Sequence, residues 1–325
     1  MSHAPFSKLL ATLFMTLSFG LAAGQAKALT VYTAGPGGLI KQLAAGFQEK
    51  TGIKVDVFQA TTGKVMARLE AEAANPRADV LISASWDTAQ DLDKRGWLMA
   101  YESPNAAQVP ARFKAPTYVA QGISALGIVW NTSSDTPEPR DWADLTGPKF
   151  KQAVTMPDPA LSGASLDLLL GLQNAQGDAA WKLFETLRDN GMTISGPNAQ
   201  ALTPVLQGAK AAVFGAVDYV SYASVEKGES IKVIFPSSGT AIAPRPMMIL
   251  KTARRADEAR QFIDYVLSED GQRAVADAWL MPARQDVAAK RPVFKDLVLL
   301  PDASAASPAN RADVLARFSR VFGQH

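Results

Sequence analysis

The groups in this sequence best suited to chemistry are hydroxyls and backbone amides of short turns, because the usual nucleophiles and metal ligands are scarce. The chain has no cysteine and two histidines, of which only His325 lies beyond the first 28 residues. No Ser–His–Asp or Cys–His couple is therefore available to activate a nucleophile. Nor is there a His or Cys cluster for zinc, copper or an iron–sulfur centre. The sequence favours binding over catalysis, and it predicts no cofactor.

Five turns rich in Ser, Thr, Asn or Gly come just before predicted helices. They span residues 33–38, 61–63, 83–85, 162–165 and 195–198. Free N–H groups at a helix start carry partial positive charge, and glycine lets an anion approach the backbone. Ordinary N-capping explains any one of these turns taken alone. Several of them near strand ends in two lobes predict an anion site, because ligands of open α/β sheets bind there.

The elements that must position these turns alternate between strands and helices. Residues 29–33, 53–58 and 78–83 have strand character, and residues 39–50 and 64–74 carry apolar residues at helical spacing. This order predicts an α/β fold in which each lobe is a mixed, mostly parallel sheet flanked by helices. The apolar stretches 124–130 and 240–250 are candidates to cross between lobes. We therefore predict a discontinuous first lobe of residues 29–124 and 245–325, and a second lobe of residues 125–244.

The N-terminus has the pattern of an export signal. Lys8 precedes an apolar stretch at 9–23, and residues 26–28 (AKA) fit a small-x-small cleavage motif. We expect cleavage after Ala28 and a periplasmic location. The apolar stretch is shorter than the ~20 residues that span a bilayer. Lys and Arg number 33 against 31 Asp and Glu, so neither nucleic-acid binding nor an acidic tail is indicated. We expect a monomer.

The sequence resembles the two-lobed solute-binding proteins of bacterial ABC importers over nearly its whole length after residue 28. The resemblance rests on the ordered segments VYTAGPGG, FQEKTGIKV, TTGK, PRADVLIS, ALGIVWNT, DWADLTGPKF, MPDPALSGAS, VDYVSYASVEKG and APRPMMILKTARRADEARQFIDYVLSEDGQ. The group includes periplasmic ferric-ion binders and related hexose-phosphate binders. The resemblance implies the type II periplasmic binding protein fold, a ligand cleft between lobes, and an inner-membrane permease as partner.

The resemblance also implies which ligands are kept and which are lost. Ferric binders hold iron with a His, a Glu and two adjacent tyrosines, beside a phosphate-like anion. The matching positions here are Pro36, Ala84, Asp218 and Tyr219, so one ligand of four survives. The anion site is better preserved. Its Ser-Gly-Ala helix start matches residues 162–164 and one Asn matches Asn198, whereas a second Asn is replaced by Ala216.

We therefore expect a small phosphorylated solute, with a hexose phosphate preferred, bound by hinge closure. The expected ligand-binding residues are Thr33, Gly35, Thr62, Gly63, Ser83, Ser85, Ser162, Gly163, Ala164, Ser165, Asn198, Asp218, Tyr219 and Arg245. Some roles stay open at this point. The Asp218 carboxylate either accepts hydrogen bonds from sugar hydroxyls or caps its helix. Arg245 either contacts the phosphate or forms a salt bridge at the hinge.

Three alternatives accompany this expectation. Ferric iron with a synergistic anion would use Asp218, Tyr219 and Tyr222, although the spacing of Tyr222 favours an inward-packing helix residue. An aminoalkylphosphonate would use the same anion site. A periplasmic phosphate-ester hydrolase is the remote alternative, because neither an HxxD or DxH cluster nor a GxSxG motif occurs.

Overall fold

The computed structural model describes Met1 and residues 28–301 and 308–323. The predicted leader falls outside the described residues. Within the described residues, twelve strands form one sheet: β1 Leu29–Thr33, β2 Val55–Gln59, β3 Val80–Ile82, β4 Leu98–Met99, β5 Lys114–Ala115, β6 Tyr118–Asn131, β7 Val154–Met156, β8 Thr193–Ile194, β9 Ala212–Val217, β10 Ile231–Ile234, β11 Ile242–Leu250 and β12 Met281–Pro282. The helices are α1 Gly37–Thr51, α2 Thr62–Ala71, α3 Trp86–Lys94, α4 Gly163–Gln176, α5 Asp178–Asp189, α6 Asn198–Leu206, α7 Asp218–Glu226, α8 Ala256–Val266, α9 Glu269–Asp277 and α10 Pro308–Phe322.

The main strand order is β2-β1-β3-β11-β6-β9-β7-β8. At one end β1 pairs in parallel with β2 and β3, and at the other end β7 pairs in parallel with β8 and β9. Between them, β11 and β6 run antiparallel to each other and to their outer neighbours. The prediction of an α/β fold with a mixed sheet flanked by helices is confirmed; parallel pairing is confined to the two ends, and the pairings around β6 and β11 are antiparallel.

Two large apolar clusters lie along this sheet, and we call them the first and second cores. The first core is built on α1, α8 and α9 with strands β1 and β3, and the second on α4, α5, α10 and β9. Strand β6 contributes Val119 and Ile123 to the first core but Leu126 and Ile128 to the second. β11 likewise supplies residues to both. β6 and β11 therefore pass from one core to the other, and the lobe boundaries at 124/125 and 244/245 stay a prediction.

Helix α10 lies elsewhere than its sequence position suggests. The predicted division assigns residues 245–325 to the first lobe, yet α10 contacts α4 and α5 of the second core. Its Val314 and Phe318 are buried there, and the Phe318 ring meets Phe184 edge-on at 5.8 Å between centroids. The reason is hydrophobic: the apolar face of α10 finds its complement on α5, and such pairing is not encoded locally.

Candidate functional site

A cleft of about 560 Å³ opens between the two cores, a volume typical of small-molecule sites. Helices α1, α2, α4 and α6 begin at or beside residues that line it. The lining residues are Ala34, Gly35, Pro36, Gln59, Ala60, Thr61, Thr62, Lys64, Ala84, Leu161, Ser162, Gly163, Ala164, Pro197, Asn198, Ala199, Val217, Tyr219, Val220 and Arg245. The first N–H groups of a helix have no partner within it, so several donors converge on this space.

On the side of the second core, the starts of α4 and α6 are joined by a hydrogen bond. The Ser162 hydroxyl donates to Asn198 Oδ1 at 3.1 Å and accepts from the backbone N–H of Ser165 at 3.2 Å. With Oδ1 occupied, the Asn198 amide presents its NH₂ donors. The first backbone N–H groups of α4, at Gly163 and Ala164, add further donors. Two helix starts and an amide therefore form one cluster of donors.

On the side of the first core, the turn before α2 is fixed by its own cap. Thr61 Oγ1 accepts from the backbone N–H of Lys64 at 3.4 Å, which leaves the N–H groups of the first α2 residues directed outward. Gln59 Nε2 donates to the carbonyl of Gly35 at 3.2 Å, and the N–H of Gly35 donates to Thr33 Oγ1 at 2.9 Å. These bonds hold the neighbouring loop beside the turn.

Arg245 lies between the two sides, on crossing strand β11. Two prolines flank it, and the pairing with β6 shifts register between Pro244 and Pro246. Because proline cannot donate to a sheet ladder, such positions produce bulges that redirect a side chain. Arg245 is 2 % exposed; its Nη2 donates to the carbonyl of Ala34 at 3.0 Å and its guanidinium lies 5.2 Å from the Tyr219 ring centre.

The charge balance of Arg245 is unusual. Its Nε is buried and has no hydrogen-bond partner, and no carboxylate among the described residues pairs with it. A buried cation without a counter-ion is costly. Within the described part of the chain, the residues lining the cleft include Lys64 and Arg245 but no Asp or Glu. The cleft is therefore electropositive, and its unmet donors suit an anionic ligand.

The structure brings together eight of the fourteen predicted ligand residues. Those lining the cleft are Gly35, Thr62, Ser162, Gly163, Ala164, Asn198, Tyr219 and Arg245. The other six, Thr33, Gly63, Ser83, Ser85, Ser165 and Asp218, do not line it. Most of these support the wall instead. Ser83 Oγ donates to Thr88 Oγ1 at 3.0 Å, and the Ser85 hydroxyl contacts the Asp167 carboxylate at 3.2 Å.

The expectation that the Asp218 carboxylate binds the solute is wrong. The side chain is fully buried and forms an ion pair with Arg291 at 2.5 Å. It also accepts from the backbone N–H groups of Ala125 on β6, at 2.5 Å, and of Tyr219, at 2.7 Å. Its oxygens are thus occupied in the interior, beside a crossing strand, and it is a structural anchor of α7.

Tyr222 also points away from the cleft. Its ring stacks on Trp279 with centroids 5.5 Å apart and lies 5.0 Å from the Arg291 guanidinium. Burial raises the pKa of the Tyr222 phenol, which disfavours the phenolate that Fe(III) prefers. Of the residues considered for iron, only Tyr219 lines the cleft. In the described part of the chain, no three His, Asp or Glu side chains lie close enough to share a metal ion.

Thr61 and Pro197 line the cleft and belong to two of the predicted turns, whereas seven further lining residues lie outside those turns: Gln59, Ala60, Lys64, Leu161, Ala199, Val217 and Val220. The sequence could have indicated Lys64 as a ligand-binding residue, because it follows the Thr-Thr-Gly turn and falls in the first turn of a helix. A cation is electrostatically disfavoured at that position unless an anion lies nearby. The apolar members carry no comparable signal, since their exposure depends on how the two sides meet.

Residues 75–304 match the family model of bacterial extracellular solute-binding proteins. The chain belongs to this family. It functions as a solute-binding protein of an ABC transporter. Among the helices of the described residues, none is long and apolar enough to span a bilayer.

Several relatives are named for anionic solutes. The chain is 28 % identical over 238 residues to the phosphoglycerate transport regulatory protein PgtC of Salmonella typhimurium, covering 71 % of this chain and 59 % of that protein. It is 25 % identical over 251 residues to the putative 2-aminoethylphosphonate-binding periplasmic protein of the same organism, covering 74 % and 73 %.

Solved structures share the fold across almost the whole chain. The periplasmic binding protein AfuA from Actinobacillus pleuropneumoniae, with fructose 6-phosphate bound, superposes with a TM-score of 0.83 at 24 % identity, covering 92 % of this chain and 99 % of AfuA. Iron-bound HitA from Pseudomonas aeruginosa gives a TM-score of 0.78 at 22 % identity, covering 90 % and 99 %. The type II periplasmic binding protein fold is thereby confirmed.

Proposed function

We propose that the chain captures a small phosphorylated solute in the periplasm and delivers it to the permease of an ABC importer as a monomer. The observation that supports this proposal most is Arg245, a buried cation whose Nε has no partner and which lines a cleft with no carboxylate among its described lining residues. A phosphoryl group offers several anionic oxygens to guanidinium and backbone donors. The names of the phosphoglycerate and aminoethylphosphonate relatives support an organophosphorus solute.

The proposed mechanism is hinge closure about β6 and β11, the two strands that enter both cores. Donors at the starts of α4 and α6 hold the phosphoryl group from one side, while Arg245 and the α2 turn approach from the other. The solute stabilises the closed arrangement only through contacts made to both sides at once. No step in this scheme breaks a bond, and we propose no catalytic role.

Isothermal titration calorimetry on the dialysed protein tests this proposal. We expect heat of binding with at least one of glucose 6-phosphate, fructose 6-phosphate, 3-phosphoglycerate and 2-aminoethylphosphonate. Arg245→Met should weaken that binding by at least about tenfold, because a charge-assisted hydrogen bond contributes roughly 1.5–3 kcal/mol. Arg260→Met is the matched control, since Arg260 is on α8, pairs with Asp257 and does not line the cleft. Absence of heat with all four compounds rejects the proposal.

Ferric iron is the weaker ligand candidate. Asp218 is engaged with Arg291, and Tyr222 stacks on Trp279, so two of the three oxygen donors are turned away. An absorbance scan with Fe(III) checks this directly. We expect no tyrosinate-to-iron charge-transfer band.

A further inference from the structure

The cleft offers more positive features than one phosphoryl group can use. Donors at the starts of α4 and α6, with the Asn198 amide, belong to the second core. Lys64 lies across from them in the first turn of α2, and Arg245 lies on the crossing strand between the two sides. Since the cleft encloses about 560 Å³, a solute that contacts both sides must extend across it. The groups at its two ends then face separate positive clusters.

Lys64 supplies a second cation at this cleft: its side chain is exposed and lies in the first turn of α2. It occupies the helix end where the macrodipole repels a cation, and the first turn of α2 contains no acidic residue. In the part of the chain that the structure describes, no carboxylate forms an ion pair with Lys64. Together with the unpartnered Nε of Arg245, two cations border the same cleft without a counter-charge.

An ammonium group would find no carboxylate partner among the described residues that line this cleft. None of the described lining residues is acidic, and Asp218, the carboxylate nearest in sequence to Tyr219, is paired with Arg291 in the interior. A zwitterionic aminoalkylphosphonate would bury its ammonium beside cations, which costs free energy. The charge of the cleft therefore favours an anionic solute over a zwitterionic one.

We infer, on the basis of the proposed function, that the solute carries a second anionic group besides the phosphoryl group and no ammonium group. A phosphorylated carboxylic acid has this chemistry. The phosphoryl group contacts the α4 and α6 helix starts with Arg245, and the carboxylate contacts Lys64 and the free N–H groups of α2. Each charge-assisted bond contributes both affinity and a fixed orientation of the solute.

Calorimetric titrations with three compounds test the inference. We expect 3-phosphoglycerate, which has two anionic groups, to bind at least tenfold more tightly than glucose 6-phosphate, which has one. 2-Aminoethylphosphonate should bind more weakly than either. Lys64→Met should reduce the affinity for 3-phosphoglycerate more than that for glucose 6-phosphate, so the ratio between them falls. Lys41→Met provides the control, since Lys41 is exposed on α1 and does not line the cleft.

The outcomes separate this inference from the proposed function. If glucose 6-phosphate binds as tightly as 3-phosphoglycerate, the solute is phosphorylated but the second anionic subsite is wrong. The second subsite is also wrong if 2-aminoethylphosphonate binds tightest. It is wrong as well if Lys64→Met and Lys41→Met give the same ratio of 3-phosphoglycerate affinity to glucose 6-phosphate affinity. If only fructose 6-phosphate binds, the inference fails and the proposed function stands. If neither it nor any of the three compounds binds, the proposed function fails together with the inference.

Discussion

At the scale of single residues, two buried arginines serve opposite purposes. Arg291 is paired with Asp218 at 2.5 Å and both side chains are fully buried, so its charge is balanced within the fold. Arg245 is almost as deeply buried, yet no carboxylate among the described residues forms an ion pair with it. A balanced pair contributes to the architecture around α7 and β6. An unbalanced cation costs stability, and that cost is offset when an anion binds.

This contrast predicts opposite effects on the stability of the ligand-free protein. Arg291→Met leaves Asp218 buried without a counter-charge, which typically costs about 3–5 kcal/mol. We expect the thermal midpoint to fall on the order of 10 °C. Arg245→Met removes an unpaired buried charge and should leave the midpoint unchanged or higher. Differential scanning calorimetry of both variants makes the comparison. A large loss of stability in Arg245→Met would mean that this side chain has a structural role.

At the scale of elements, the start of α4 is where the two sides of the cleft touch. A Cβ added at Gly163 would lie 2.7 Å from Ser85 Cβ, closer than van der Waals contact permits. Ser85 precedes α3 on the first-core side, and Gly163 lines the cleft on the other. The absence of a side chain at Gly163 therefore sets how closely the two sides approach.

Gly163→Ala should consequently weaken solute binding several-fold, because the added methyl group separates the sides that the solute must contact together. The double variant Gly163→Ala with Ser85→Gly should recover part of the lost affinity. Gly38→Ala is the matched control: it also lies at a helix start, nothing lies within 4 Å of its added Cβ, and it should stabilise α1 by up to about 1 kcal/mol. Equal affinities in Gly163→Ala and the unmodified protein would show that this contact does not limit closure.

The sequence predicts the elements better than it predicts the site. Helix α1 is expected over 39–50 and spans Gly37–Thr51, because helical periodicity and a glycine stop are local signals. The start of α4 at the Ser-Gly-Ala segment is also predicted correctly, because it too is a local signal in the sequence. The expectation for Asp218 is wrong because its partner Arg291 is distant in sequence. No local pattern distinguishes a carboxylate that faces a cleft from one neutralised in the interior.

At the scale of the whole molecule, α10 links the second core to the first. Its Arg311 forms an ion pair with Asp167 on α4 at 2.6 Å and a second with Asp87 on α3 at 2.7 Å. The Arg311 and Asp167 side chains are both 9 % exposed. Because α3 packs with the first core side and α4 with the second, the Asp87–Arg311 pair joins the two sides. It stabilises the arrangement in which Ser85 lies against Gly163.

Asp87→Asn removes this cross-connection while leaving the Arg311–Asp167 pair in place. We expect affinity for the solute to fall about threefold to tenfold, because the arrangement that binds it loses an interaction of roughly 1 kcal/mol. Small-angle X-ray scattering of the liganded variant should show a larger radius of gyration. Asp178→Asn is the control: it removes the exposed Arg317–Asp178 pair, which joins α10 to α5 within the second core. If the two variants bind and scatter alike, α10 stabilises the second core alone and has no part in setting the cleft.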